Sequence, residues 1–149
     1  MDVRSILKIT GAVAEFTDAL DNNIPSPTVI LGVVTNLVFD LRSAPTRDDR
    51  ELPPYELPDA DSYYIAIDND WDKDTPPKLL RTSGISVDKS SGHTVITAPL
   101  PCTSGIPALV NILNKEKSKL LHCEIGGIKE GVGDVFAFSF DLTLRNRIW

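Results

Sequence analysis

The stretch DVFAFSFDLTLR, residues 134 to 145, places Phe136, Phe138, Phe140, Leu142 and Leu144 at every second position. Val135, Ala137, Ser139, Asp141 and Thr143 fill the alternate places. A helix advances about 100° per residue and would scatter those rings around its circumference. A strand collects them on one side. Three rings and two leucines on one strand face need an opposing apolar layer, so this segment commits the chain to a sheet-built interior.

The same period recurs along the chain. Asn36 to Arg42 sets Leu37, Phe39 and Leu41 against Val38, Asp40 and Arg42, and Ser62 to Asp68 sets Tyr63, Ile65 and Ile67 against Tyr64, Ala66 and Asp68. Lys119 to Ile125 opposes Leu121, Cys123 and Ile125 to Leu120, His122 and Glu124. In His93 to Ala98 either face can turn inward. Weaker strand patterns cover Ile6 to Thr10, Thr28 to Val34, Lys78 to Thr82 and Ile85 to Val87. Turn residues separate most of these runs, and such a series predicts a mainly β fold, an antiparallel β-sandwich of about seven to nine strands.

One segment departs from the pattern. In SGIPALVNILNK, residues 104 to 115, Ile106, Leu109, Val110 and Leu113 follow helical spacing. Ser104 suits an N-cap and Lys115 and Lys117 suit the C-terminal end, predicting one short α-helix over about 105–115. Residues 43–61, SAPTRDDRELPPYELPDAD, are proline-rich and charged and predict a long exposed loop, with an interaction arm as one use for it. The break DNNIPSP sets residues 1–27 apart as an N-terminal arm or a strand pair, ahead of a domain over 28–149. As an arm, residues 1–20 could be removed without unfolding the rest. The glycines of EIGGIKEGVGD are read as part of a hairpin loop rather than a phosphate-binding turn.

Composition bounds function. The 149 residues suit one domain, and a net charge of -6, with no basic run, argues against a nucleic-acid partner. No stretch of eighteen apolar residues predicts a membrane span. The opening MDVRSILKITGAVAEF lacks the basic, apolar and small-residue parts of a secretory signal. Cys102 and Cys123 lack zinc spacing. One bridge between them is compatible with the count, but two reduced, semi-buried thiols fit better.

The candidate sites are few. IDNDWDKDTPP carries Asp68, Asp70, Asp72 and Asp74 in alternation. Counted as a calcium loop from Asp68, the position needing glycine is Lys73 and that needing glutamate is Leu79, so no metal site is predicted. His93 and His122 stand in no nucleophile motif, and no enzyme and no cofactor are predicted. Tyr55, Trp71 and Trp149 lie in loop or terminal positions. Aromatic side chains there serve as interface anchors or sugar platforms. The candidate binding set is therefore Trp71, Tyr55, Asp68, Asp70, Asp72 and Asp74, with a cell-surface glycan as one ligand class.

The order of VTNLVFDLR, YYIAIDNDWD, PPKLLRTSGISV, HTVITAPL, a short helix, LLHCEIGG and FAFSFDLTLRNR resembles the small β-sandwich domains at the base of phage tail-fibre and receptor-binding proteins, including baseplate upper proteins. The resemblance spans roughly residues 33 to 148 and rests on strand order and on short stretches such as IDNDWD and LRNR. It implies a non-enzymatic structural or adaptor module of a phage tail or baseplate, made in the host cytoplasm and residing in the virion. It also implies docking to other tail or baseplate proteins and homo-oligomers, commonly trimers. The heptad stem and receptor-binding head of that family do not follow the last strand here.

Overall fold

The computed structural model describes residues 1–68, 77, 79–100, 110, 112–113 and 115–146. Ten strands lie among them: β1 (Asp2–Thr10), β2 (Val13–Thr17), β3 (Thr28–Ile30), β4 (Thr35–Ser43), β5 (Ser62–Asp68), β6 (Leu79–Arg81), β7 (Ser86–Asp88), β8 (Thr94–Leu100), β9 (Ser118–Lys129) and β10 (Gly133–Arg145). They form one sheet in the order β6-β5-β9-β10-β2-β1-β4-β8-β7, with β3 pairing β10 off that path.

The mainly β class stands, and the antiparallel sandwich is corrected to a single curled sheet of mixed direction. β1 runs parallel to β4, while β10 runs parallel to β2 and β3. Side-chain alternation dictates which face of a strand is buried, but it carries no information about which neighbour the strand takes or in which direction. The helix expected over 105–115 falls mostly outside the described residues. Of its described positions, Ile112 and Leu113 are buried and Val110 is 40% exposed.

Two distances show how far the sheet curls. Phe39 on β4 and Phe140 on β10 are three strands apart in the sheet order, about 14 Å in a flat sheet. Their ring centroids are 5.0 Å apart and nearly perpendicular, at 76°. Between them sits Phe16 of β2, 6.0 Å from Phe39 and 6.1 Å from Phe140. At the opposite side, the edge strands β6 and β7 are joined by residues 82–85. That link cannot span more than about 18 Å, against about 38 Å between the edges of the same sheet laid flat. The sheet therefore rolls until its edges approach and its inner faces meet over one core.

The inward set is the one that alternation selects. On β10, Phe136, Phe138, Phe140, Leu142 and Leu144 are all buried. On β4, Leu37, Phe39 and Leu41 are fully buried. On β8, Thr94, Ile96, Ala98 and Leu100 turn inward, which resolves the ambiguous strand.

The first seventeen residues are built into the middle of this sheet. β1 and β2 form a hairpin between β10 and β4, and Leu7, Ile9, Ala14 and Phe16 are buried in the core. β2 meets β10 through the single pair Val13–Ser139, so the hairpin joins the two halves of the sheet at its narrowest seam.

Gly126 and Gly127, read as loop glycines, lie inside β9, which continues to Lys129. Rings explain them. A Cβ on Gly126 would stand 2.4 Å from the Tyr64 ring, and one on Gly127 would stand 2.3 Å from the Phe136 ring. Each glycine is a seat for an aromatic side chain on one face of the strand.

Two outcomes are expected. Deleting residues 1–20 removes Leu7, Ile9 and Phe16 from the core, so far-UV circular dichroism should show loss of the native sheet spectrum rather than a folded remainder. Gly127→Ala forces the Phe136 ring aside and should destabilise the fold by about 1–3 kcal/mol, read in denaturant unfolding.

Candidate functional site

The outward faces of strands in a curled sheet meet water and ordinarily carry polar side chains. On β1, β4 and β8 several do not. Ile6 on β1 lies opposite Asp40 on β4, which lies opposite Val95 on β8. One row along, Arg4 lies opposite Val38, which lies opposite Thr97. Ile6, Val38 and Val95 thus put three β-branched aliphatic side chains on the outward side of adjacent strands, with Arg4 and Asp40 between them.

The loop after β2 raises a wall beside this patch. Asp18 accepts hydrogen bonds from the Leu20 and Asn22 backbone amides, both at 2.9 Å, and Asp21 adopts a left-handed φ of 67°. Lys8 on β1 donates to Asp21 at 2.8 Å, holding the loop onto the sheet. The chain then returns along β2, where the Ile24 amide donates to the Phe16 carbonyl at 3.1 Å. This leaves Ile24 42% exposed at the rim. The result is a concave surface of about 430 Å³ lined by Arg4, Ile6, Ile24, Val38, Asp40 and Val95, among others. Thr17 also lines it, is 1% exposed, and its hydroxyl has no partner among the described residues.

Charges at the site are held in place. Arg42 donates to both oxygens of Asp40 at 2.9 Å and to the Leu52 carbonyl at 2.7 Å. The Asp40 hydrogen bonds push the Arg42 guanidinium still higher than its ordinary value, against the opposing effect of burial. Lys8 is likewise raised, first by its hydrogen bond to Asp21.

A second concavity, of about 530 Å³, forms where residues 53–57 cross β4 and β8. The proline-rich loop is anchored here rather than extended as an arm. The Ser43 amide donates to Pro53, the Tyr55 amide donates to Leu41, and the Thr94 hydroxyl donates to the Tyr55 carbonyl at 2.7 Å. Leu52 and Leu57 are buried as plugs at either end of this crossing.

Of the expected binding residues, Trp71, Asp70, Asp72 and Asp74 lie outside the described residues. Tyr55 is partly buried against the core and lines the second concavity. Asp68 ends β5, opposite His122 on β9. Tyr55 is thus held by β4 and β8 and Asp68 by β9, in different halves of the sheet. His122 Nδ1 lies 2.7 Å from Asp141 on the outward side of β9 and β10. Nearby, the Tyr64 hydroxyl donates to Glu124 at 3.2 Å. Burial above all, then the charges of Glu124 and Asp134, raises the Tyr64 phenol well beyond its ordinary range. Among the described residues no group of three or more His, Cys, Asp or Glu side chains is placed to hold a metal ion.

The aliphatic patch escaped the sequence reading because its members lie on separate strands. Each is a lone apolar residue among polar neighbours, such as Val38 between Asn36 and Asp40, and the pairing that unites them is visible only in the sheet.

The loop beside the patch carries a pH signature. Hydrogen bonds from the Asn22 backbone and side chain, with a smaller one from Leu20, hold the Asp18 carboxyl below its ordinary value of 3.8. A depressed carboxylate stabilises the folded loop above the unfolded value, and that contribution is lost as pH falls through the folded one. Nuclear magnetic resonance should show the Leu20 and Asn22 amides unchanged from neutrality down to the ordinary carboxylate range and released below it. In Asp18→Asn that acid step should be absent.

Compared with models of known protein families and with curated protein sequences, the chain matches none.

Proposed function

We propose that this protein is a non-enzymatic structural or adaptor module that works by docking to other proteins, in the manner of the phage tail and baseplate domains that its strand order resembles. The observation that carries this reading is the concave aliphatic patch on β1, β4 and β8. Ile24 is exposed and Ile6 and Val95 are half-buried around the already buried Val38, so the apolar area that Ile24, Ile6 and Val95 still show to water gains from being covered. Ile24 at the rim and Ile6, Val38 and Val95 on the floor supply apolar contact, while Arg4 and the Asp40–Arg42 pair supply the polar border that fixes register.

Rigidity supports the same reading. A docking module must hold its contact residues in one geometry, since ordering them on binding opposes affinity. Here the floor belongs to central strands of the sheet and the wall is tied down by Asp18 and by the Lys8–Asp21 bond. On this reading the partners are neighbouring tail or baseplate proteins, further copies of the chain, or both, and the place of action is the virion.

Analytical ultracentrifugation tests it, with the protein alone and mixed with each virion protein encoded beside it. Association is expected with itself or with a neighbour, and Ile24→Asp and Arg4→Glu should each abolish it. Both positions are exposed, so thermal unfolding should be unchanged. A wild-type chain that stays monomeric in every mixture sinks the reading, as does association that ignores both substitutions.

A further inference from the structure

The concavity beside Tyr55 has a chemistry of its own and shares no lining residue with the docking patch. Its volume of about 530 Å³ lies within the range of small-molecule sites, roughly 300–1,000 Å³. Pro53, Pro54 and the partly buried Tyr55 give its lining an apolar and stiff part. Prolines and a ring anchored by backbone hydrogen bonds lose little freedom when something stacks on them.

The polar groups narrow the ligand class. The Lys89 ammonium donates to the Leu57 carbonyl at 2.7 Å and lies 3.3 Å from Asp59, so the one lysine at the cleft is already engaged. With the chain at a net charge of -6, the cleft is poorly suited to an anion. Glu56 lines it and is exposed, with a carboxylate that makes no hydrogen bond or ion pair among the described residues. His93 also lines it, with its Nδ1 enclosed and without a partner among the described residues. Open space remains beside them, because a Cβ built on Gly92 would meet no atom within 4 Å.

An apolar platform, an acceptor carboxylate and an imidazole around a cavity of this size match one kind of molecule. It has a CH-rich face, a rim of hydroxyls and no charge. We propose that the cleft between residues 53–57 and the turn before β8 binds a neutral saccharide unit, with Tyr55, Pro53 and Pro54 as its stacking platform, Glu56 as its hydroxyl partner and His93 at its edge. The sugar's hydroxyls donate to Glu56, and its apolar face covers the Tyr55 ring.

Nuclear magnetic resonance titration of the whole chain with glucose, galactose, mannose, rhamnose and N-acetylglucosamine, each alone, tests this. The chain has two histidines, so a His93→Gln spectrum assigns the His93 ring signal. At least one sugar should shift the His93 and Tyr55 ring signals together. For that sugar, Glu56→Ala should weaken binding by about tenfold or more, because a hydrogen bond to a charged group is lost. Glu56 is exposed, so this variant should fold as the parent does. The proposal is overturned if none of the five moves both rings at tens of millimolar, or if Glu56→Ala binds as tightly as the parent. Neither result bears on association at the aliphatic patch, which the centrifugation experiment reads separately.

Discussion

The contact of Phe140 with Phe16 and Phe39 holds this fold closed. The three rings come from β10, β2 and β4, and they meet edge to face across the interior. Such pairs add about 0.5–1.5 kcal/mol each beyond the area they bury. Their larger effect is geometric, since strands three places apart can touch only if the sheet between them bends. That bend brings the edge strands β6 and β7 within reach of a four-residue link. It also explains why the edges are only three residues long each, as a nearly closed sheet has little open edge to protect.

The rest of the molecule follows from that closure. Once the inner faces are joined, the outer faces are what the protein can offer to others. Two loops shape them. Residues 18–24 fold back over β1 and raise Ile24 beside Ile6, and residues 44–61 cross β4 and β8 with Leu52 and Leu57 plugged into the body. Both loops are fastened by specific polar bonds, Lys8 to Asp21 in one case and Arg42 to the Leu52 carbonyl in the other. The concave surfaces they border are therefore parts of the fold rather than accidents of a mobile loop.

Much of this was legible one strand at a time. β5 spans Ser62–Asp68, as alternation reads it, and the apolar set that the period selects on β4, β9 and β10 is buried, although Val38 and Arg42 on the other face of β4 are buried as well. The loop assigned to Gly126 and Gly127 was misread because glycine ordinarily marks a turn. The rings that occupy the missing Cβ positions come from neighbouring strands, Phe136 from the next strand of the same hairpin and Tyr64 from β5, more than sixty residues before. Tyr55 could be singled out as a loop aromatic, but its neighbours Glu56 and His93 become one site only when the loop is laid across β8. The patch of Ile6, Val38 and Val95 left no local signal at all.

The amino-acid order alone settled that the chain builds sheets and which apolar residues of its clearest strands, such as Leu37, Phe39 and Leu41 or Phe136, Phe138 and Phe140, face inward. These are properties of period and composition, and each can be read within a window of a few residues. Tertiary structure alone decided that β1 lies parallel to β4, that the N-terminal hairpin sits mid-sheet, and which outward residues become neighbours. Those outcomes depend on the pairing of segments tens of residues apart, and backbone hydrogen bonds are blind to the side chains that alternate above and below them.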